Sequence, residues 1–183
     1  MSESPKPKRR SSKALRGRTS SDGMRNVSNG VTVLHVDDDP NDTELLRAAT
    51  RRAKAQFLLH NVEDGDGAMA YLNGLGIYAD RCEYPMPSLI LLDLKMPRAT
   101  GLEILKWIRE HPECGNLPVV ILSGSQLHED IRQAYETGAN SYLVKPLGFE
   151  ELVNIVKDVD AVWLPAERAA QKARASAKSG IQT

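Results

Sequence analysis

The sequence has few cysteines, few aromatic residues and no long apolar run. Its two cysteines, Cys82 and Cys114, do not make a disulfide framework, and their spacing matches no zinc motif. The longest aliphatic runs, such as 89–92, are about four residues long, whereas a membrane-spanning helix needs roughly 20. No apolar stretch follows the basic N-terminus, so a secretory signal is not expected. These absences predict a cytoplasmic chain without a membrane segment.

The net charge is zero, but the charges are unevenly distributed along the chain. Residues 1–30 carry eight Lys/Arg and two acidic residues, whereas residues 31–164 carry 12 Lys/Arg and 21 acidic residues. Residues 165–183 again have an excess of Lys and Arg. Because nucleic acids bind to concentrated basic side chains, the acidic middle segment argues against sequence-specific nucleic-acid binding. The basic tails leave open only weak contacts without sequence preference.

The composition divides the chain into one domain and two tails. Residues 1–30 are rich in Ser, Pro, Gly and Arg and have no apolar periodicity, so this basic tail is predicted to be disordered. Residues 165–183 are rich in Ala, Lys and Arg, and they fit either a frayed helix or a loose basic tail. The folded domain is therefore expected to span residues 31–164.

Within this domain, short apolar runs alternate with amphipathic segments. The first run is short and β-branched, as is typical of a strand buried in a parallel sheet, and Asp39 followed by Pro40 predicts a helix start. Strands are predicted at 31–36, 56–62, 88–92, 117–122 and 141–144, and the helices after the first at 65–72, 101–110, 127–137 and 149–164. This alternation predicts an α/β fold, a doubly wound five-stranded parallel sheet covered by helices.

Polar side chains stand at the predicted carboxyl ends of the strands, which is where open α/β sheets bind ligands. Strand one is followed by three aspartates, strand three by one, strand four by a serine and strand five by a lysine. Asp39 is explained by helix capping alone. The remaining candidates are Asp37, Asp38, Asp93, Ser123 and Lys145.

This set of side chains suits phosphoryl transfer. Clustered carboxylates bind hard divalent cations such as Mg²⁺, and one carboxylate can act as a nucleophile that forms an acyl phosphate. An ammonium and a hydroxyl group can bind the other phosphoryl oxygens. The candidates therefore supply each component that the reaction needs.

Four segments around these residues resemble the receiver domain of two-component response regulators, the CheY-like family. They are residues 36–38, 91–97 with Gly101, 121–124 and 142–146. The resemblance covers about residues 31–164 and implies a flavodoxin-like sheet with strand order 2-1-3-4-5. It also implies that Asp93 is a phosphoacceptor that receives phosphate from the phosphohistidine of a histidine kinase.

The resemblance assigns roles to the other candidates as well. Asp37 and Asp38 would bind Mg²⁺ together with Asp93 and the backbone carbonyl of Lys95. Lys145 would hold the phosphoryl group, and a cis peptide bond would join it to Pro146. The resemblance further implies that Ser123 and Tyr142 form the switch pair.

More narrowly, the chain resembles standalone receivers that partner bacterial phytochrome kinases. The likeness rests on the long connection at 75–87 with Tyr78 and on the last helix, which ends at Trp163 and Leu164. It implies a homodimer and signalling through protein–protein contacts. Two outcomes stay open: the phosphorylated chain binds a downstream target protein, or it passes phosphate to a histidine phosphotransfer protein.

Two other classes of protein fit the sequence less well. A haloacid-dehalogenase-like phosphatase carries D-x-D-x-[TV] after its first strand, and here Asn41 stands where that pattern requires Thr or Val. A scaffold that has lost phosphorylation usually lacks an acidic residue, the acceptor or the lysine, and all are present here. The chain is therefore expected to be a signalling protein and not an enzyme.

Overall fold

The computed structural model describes residues 31–97, 99–165 and 168–169. The expectations for residues 1–30 and for most of residues 165–183 lie outside these ranges. Five parallel strands form one sheet in the order β2-β1-β3-β4-β5, which confirms the predicted topology. The strands are β1 (Val31–Val36), β2 (Phe57–Val62), β3 (Leu89–Leu92), β4 (Val119–Ser123) and β5 (Ser141–Val144).

Helices connect the strands and cover the sheet. They are α1 (Pro40–Ala53), α2 (Gly65–Asn73), α3 (Gly101–Glu110), α4 (His128–Glu136) and α5 (Phe149–Asp158). The predicted start of α1 is confirmed, because the Asp39 carboxylate accepts a hydrogen bond from the backbone N–H of Asn41 at 2.8 Å and Pro40 opens the helix. Among the described residues, no helix is long and apolar enough to cross a membrane.

The sheet separates two apolar cores. In β1, Val31 and Val33 pack on one face with buried residues of α1 and α5, whereas Leu34 and Val36 pack on the other face with α2 and α3. Every residue of β1, β3 and β4 is buried, which explains why these strands are almost continuously apolar. The two covered faces make the fold doubly wound, as predicted.

Some predicted boundaries differ from the structure. Ser123 is the last residue of β4 and does not follow the strand. The predicted last helix is α-helical only to Asp158 and continues as a π-helical turn at Val159–Trp163. Val159 and Leu164 are both buried, and the wider π turn suits two buried residues that are five positions apart.

The connection between α2 and β3 contains a short 3-10 helix at Gly76–Ala79. The prediction of a cis peptide bond between Lys145 and Pro146 is wrong, because the described residues contain no cis peptide bond. A trans bond is the form that most X–Pro pairs adopt in folded proteins.

Candidate functional site

The carboxyl edge of the sheet brings together the side chains that follow β1, β3 and β5. The Nζ atom of Lys145 lies 2.8 Å from Oδ2 of Asp37 and 2.8 Å from Oδ2 of Asp93. The parallel pairing of β1 with β3, and of β4 with β5, places these three strand ends at the same edge. The predicted convergence of acids and lysine is therefore present in the structure.

Asp37 is almost completely buried, with 1% of its surface exposed. Its Oδ1 accepts a hydrogen bond from the backbone N–H of Asp39 at 3.0 Å, and its Oδ2 lies 3.2 Å from Nε2 of His35. Burial acts to raise the pKa of Asp37, but the contacts with His35, Lys145 and the Asp39 backbone outweigh burial and lower the pKa to about 2. Asp37 is therefore ionised at neutral pH despite its burial.

Three carboxylates of this edge can bind one cation together. Asp37, Asp38 and Asp93 each offer an oxygen, and these oxygens lie within 4.8 Å of one another. In addition, Oδ2 of Asp37 is buried and makes no hydrogen bond of good geometry with the described residues. Clustered carboxylate oxygens suit a hard divalent ion such as Mg²⁺, which binds through oxygen. The side chains present therefore fit a divalent metal.

The backbone around Asp93 is held closely. The N–H of Asp93 donates to the carbonyl of Val36 at 3.0 Å, and its Oδ1 accepts from the N–H of Lys95 at 3.2 Å. A Cβ atom at Gly101 would lie 2.1 Å from the carbonyl oxygen of Asp93, so only glycine fits where α3 begins. The exposed Lys95 ammonium lies 3.8 Å from Asp130, and the predicted metal contact of the Lys95 carbonyl stays a prediction.

The two predicted switch residues lie on β4 and β5. Ser123 is fully buried, and its hydroxyl has no hydrogen-bond partner among the described residues. The Tyr142 hydroxyl donates to the backbone carbonyl of Ser125 at 2.9 Å. Burial raises the pKa of Tyr142 above its ordinary value of 10.0. The structure therefore buries the Ser123 hydroxyl at the end of β4 and ties Tyr142 to the loop after β4.

Asp42 is a third acidic partner of Lys145 that was not predicted from the sequence. Oδ2 of Asp42 lies 2.7 Å from Nζ of Lys145 and accepts a hydrogen bond from it. Burial acts to lower the pKa of Lys145, but its close contacts with the three carboxylates outweigh burial and raise the pKa above its usual value. The one available signal was an acid in the first turn of a helix at this edge, and a favourable interaction with the helix N-terminus explains such an acid equally well.

His35 is a second residue that sequence reasoning did not connect with the site. It is buried in β1, and its Nδ1 lies 2.8 Å from Oδ1 of Asn61, which also accepts a hydrogen bond from Thr43 at 3.1 Å. His35 and Asp37 are two positions apart, so the period of a strand places both on one face. That spacing was the signal available in the sequence. The contact between His35 and Asp37 helps to fix the orientation of the Asp37 carboxylate.

A family model described as the response regulator receiver domain matches residues 33–157, which is more than half of the chain. The chain belongs to the response regulator receiver family. The match contains every candidate residue discussed above. The flavodoxin-like, CheY-like fold and the place of the chain in two-component signalling follow from this membership.

Relatives of known structure support the same assignment. Response regulator Rcp1 of Synechocystis is 33% identical over 132 residues, which cover 72% of this chain and 88% of Rcp1. The manganese-bound form of Rcp1 superposes with a TM-score of 0.65 at 32% identity, and the match covers 74% of this chain and 95% of Rcp1.

Two phytochrome-associated regulators are equally similar in structure. The phosphorylated cyanobacterial phytochrome response regulator RcpA has a TM-score of 0.68 and 34% identity, with 75% of this chain and 96% of RcpA covered. The bacteriophytochrome response regulator RtBRR has a TM-score of 0.62 and 37% identity, with 81% of this chain and 92% of RtBRR covered. The predicted likeness to phytochrome response regulators is thereby confirmed.

Proposed function

We propose that Asp93 is the phosphoacceptor of this receiver and takes a phosphoryl group from the phosphohistidine of a histidine kinase. One observation carries the assignment: Asp93 follows β3 directly, accepts a hydrogen bond from Lys145 and lies beside Asp37 and Asp38. Asp93 is 7% exposed, so the carboxylate is largely shielded from water at the mouth of the site. RcpA, which has the same fold, is described as phosphorylated.

The transfer itself requires one bond exchange. A carboxylate oxygen of Asp93 forms a bond to phosphorus, while the P–N bond of the phosphohistidine breaks and its electron pair remains on the imidazole nitrogen. Lys145 keeps its proton and places its positive charge beside the phosphoryl oxygens. The buried Ser123 hydroxyl supplies a hydrogen-bond donor on the β4 side. These residues bind and orient the group that Asp93 receives.

Mg²⁺ is the metal that we assign to the site. Asp37, Asp38 and Asp93 would hold it through side-chain oxygens, and Lys95 through its backbone carbonyl. When bound, a divalent ion neutralises charge on the phosphoryl oxygens during transfer. The three converging carboxylates support this assignment. The manganese-bound Rcp1 structure supports a divalent ion in a related receiver.

Phosphorylation would then change the surface formed by α4, β5 and α5. The new group adds negative charge and acceptor oxygens near Ser123, whose hydroxyl has no partner among the described residues. Movement of Ser123 toward it would carry along the loop that holds the Tyr142 hydroxyl at Ser125. Tyr142 would turn inward, because phosphorylation would shift the equilibrium between two conformations that already exist. The altered surface would bind partner proteins.

The phosphoacceptor assignment is tested by incubating the protein with Mg²⁺ and acetyl phosphate. We expect a species heavier by about 80 Da in intact-mass spectra, the mass of one added phosphoryl group. Asp93→Asn should lose this species, and chelation of Mg²⁺ with EDTA should suppress it. A phosphorylated species that survives in Asp93→Asn would show that another residue is the acceptor.

The likeness to the relatives supports a proposal for the partners. The similarity to RcpA and RtBRR favours a phytochrome kinase as the phosphodonor. The cytoplasmic location expected from the sequence stays part of this proposal. A homodimer through α5 and neighbouring elements is the assembly we expect, and light scattering over a range of protein concentrations tests it. We expect no sequence-specific nucleic-acid binding, since the domain itself is acidic.

A phosphorelay intermediate is the second candidate function, because an acyl phosphate at Asp93 is a phosphodonor that a histidine phosphotransfer protein could accept from. Transfer of label from the phosphorylated chain to such a protein would distinguish it from a terminal regulator. We do not propose a phosphatase, since the family match is to a receiver and Asn41 departs from the phosphatase pattern.

A further inference from the structure

Lys145 has three acidic partners, and one of them is not needed by the metal. A lysine ammonium has three N–H donors, and Asp37, Asp42 and Asp93 each place an Oδ2 atom 2.7 to 2.8 Å from Nζ. Only the contacts with Asp42 and Asp93 have hydrogen-bond geometry. Asp42 therefore makes one of the two directed bonds that fix the Lys145 ammonium.

Asp42 differs from the other two acids in its position. It stands in the first turn of α1, and its side chain is 35% exposed, compared with 0% for Asp37 and 9% for Asp93. It is not one of the three carboxylates whose oxygens converge to hold a cation. When Asp37 binds metal and Asp93 carries the phosphoryl group, Asp42 is the acid that stays free to hold Lys145.

We propose that Asp42 is a positioning residue, which acts through Lys145 and keeps its ammonium beside the oxygen of Asp93 during phosphoryl transfer. The inference rests on the function proposed above. The lysine side chain has four rotatable carbon–carbon bonds, so an ammonium with fewer partners samples positions away from the phosphoryl group. A fixed acceptor on α1 reduces that freedom before the donor arrives, and precise placement of charge determines the rate of such reactions.

Acetyl phosphate gives the simplest reaction in which to test this role. The Asp93 oxygen bonds to phosphorus, while the P–O bond to the acetyl group breaks and acetate leaves with the electron pair. Lys145 remains protonated throughout. Since Asp42 is not one of the three carboxylates that can hold the cation, its removal should affect the rate of this step more than the binding of the donor.

The experiment compares the Asp42→Ala and Asp42→Asn variants with the wild type, with saturating Mg²⁺ and a series of acetyl phosphate concentrations. We expect Asp42→Ala to lower the maximal rate of phosphorylation about tenfold, with little change in the half-saturating donor concentration. Asp42→Asn retains an oxygen acceptor of the same reach, so its rate should stay within about threefold of the wild type. Intact-mass spectrometry over time gives the rates.

Glu44→Ala is the matched control. Glu44 lies on the same helix with a side chain 67% exposed, and it pairs with Arg47 and not with Lys145. Removing it changes the charge of α1 by the same amount, and we expect no change in rate. If circular dichroism indicates that Asp42→Ala is not folded, Asp42→Ser serves instead, because its hydroxyl is too short to reach Nζ in the same way.

A double-mutant cycle decides whether Asp42 acts through Lys145. In the Lys145→Ala background, Asp42→Ala should have no further effect. Three results would each overturn the proposal. The first is a wild-type rate in Asp42→Ala, and the second is an effect of Asp42→Ala that persists without Lys145. The third is an equal acceleration in Asp42→Ala and Asp42→Asn, which would indicate that only the negative charge of Asp42 affects the rate. A wild-type protein that is never phosphorylated, or is phosphorylated without Asp93, contradicts the proposed function and not this inference.

Discussion

At the scale of single residues, Asp37 illustrates how the fold changes the acidity of a side chain. Burial alone disfavours a carboxylate, yet His35, Lys145 and the Asp39 backbone together lower its pKa to about 2. A carboxyl group whose pKa is lower in the folded protein stabilises the fold at pH values above its unfolded pKa. That contribution disappears as the pH falls through the folded pKa. For Asp37 this range runs from the ordinary value of 3.8 down to about 2.

We therefore expect the metal-free protein to lose stability through Asp37 as the medium is acidified. Linkage with these two pKa values predicts a loss of about 1 kcal/mol between pH 7 and pH 3, with more lost at lower pH. Urea unfolding of the wild type and of Asp37→Asn in EDTA, at several pH values, measures it. The variant should lose about 1 kcal/mol less over the same interval. Identical pH dependence in both proteins would contradict this prediction.

At the scale of secondary-structure elements, Arg109 connects α3 to the loops that precede β4 and β5. Its Nε donates to the carbonyl of Gly138 at 2.9 Å, and its Nη1 donates to the carbonyls of Gly115 at 3.1 Å and Leu117 at 2.9 Å. Its Nη2 donates to Oδ1 of Asn140 at 2.9 Å. One guanidinium thus holds two loops in the register that delivers Ser123 and Lys145 to the same edge.

Arg109→Lys should destabilise the fold by about 2 kcal/mol, because a lysine cannot replace a planar group with five donors and leaves carbonyls without partners. The matched control is Arg132→Lys on α4, where the arginine is exposed and pairs with Glu129 and Glu136. We expect that control to change stability by less than about 0.5 kcal/mol. Urea unfolding followed by circular dichroism measures both, and equal losses would show that the Arg109 contacts contribute nothing special.

The secondary-structure elements and the acidic edge (Asp37, Asp38, Asp42 and Asp93) were predictable from the sequence to different extents. Buried strands are apolar throughout and end in polar residues, so β1, β3 and their aspartates could be placed from local pattern alone. The π-helical turn after α5 could not, since a helical apolar period does not distinguish it from an α-helix. The contact of Lys145 with Asp42 joins residues that are far apart in sequence, so it depends on packing between elements and not on local pattern. The spacing of His35 and Asp37 places both side chains on one face of β1, but whether they meet depends on side-chain rotamers.

At the scale of the whole molecule, repulsion between the carboxylates of the acidic edge destabilises the fold in the absence of metal. Asp37, Asp38, Asp42 and Asp93 lie close together, and Lys145 is the cation that contacts three of them. The two cores beneath hold these charges in place because the strands that carry them are buried on both faces. A cation that binds only the folded arrangement must therefore stabilise the entire domain.

Mg²⁺ should accordingly raise the melting temperature of the protein. At a concentration about a hundred times its dissociation constant, a ligand that binds only the folded state adds about 2.7 kcal/mol, which corresponds to a rise of roughly 5–10 °C in a domain of this size. Asp38→Ala removes one proposed ligand and leaves the three contacts of Lys145 intact, so it should abolish most of the rise. NaCl at matched ionic strength is the control, since general screening would act on both proteins alike. A full Mg²⁺-specific rise in Asp38→Ala would contradict the assignment of Asp38 as a metal ligand.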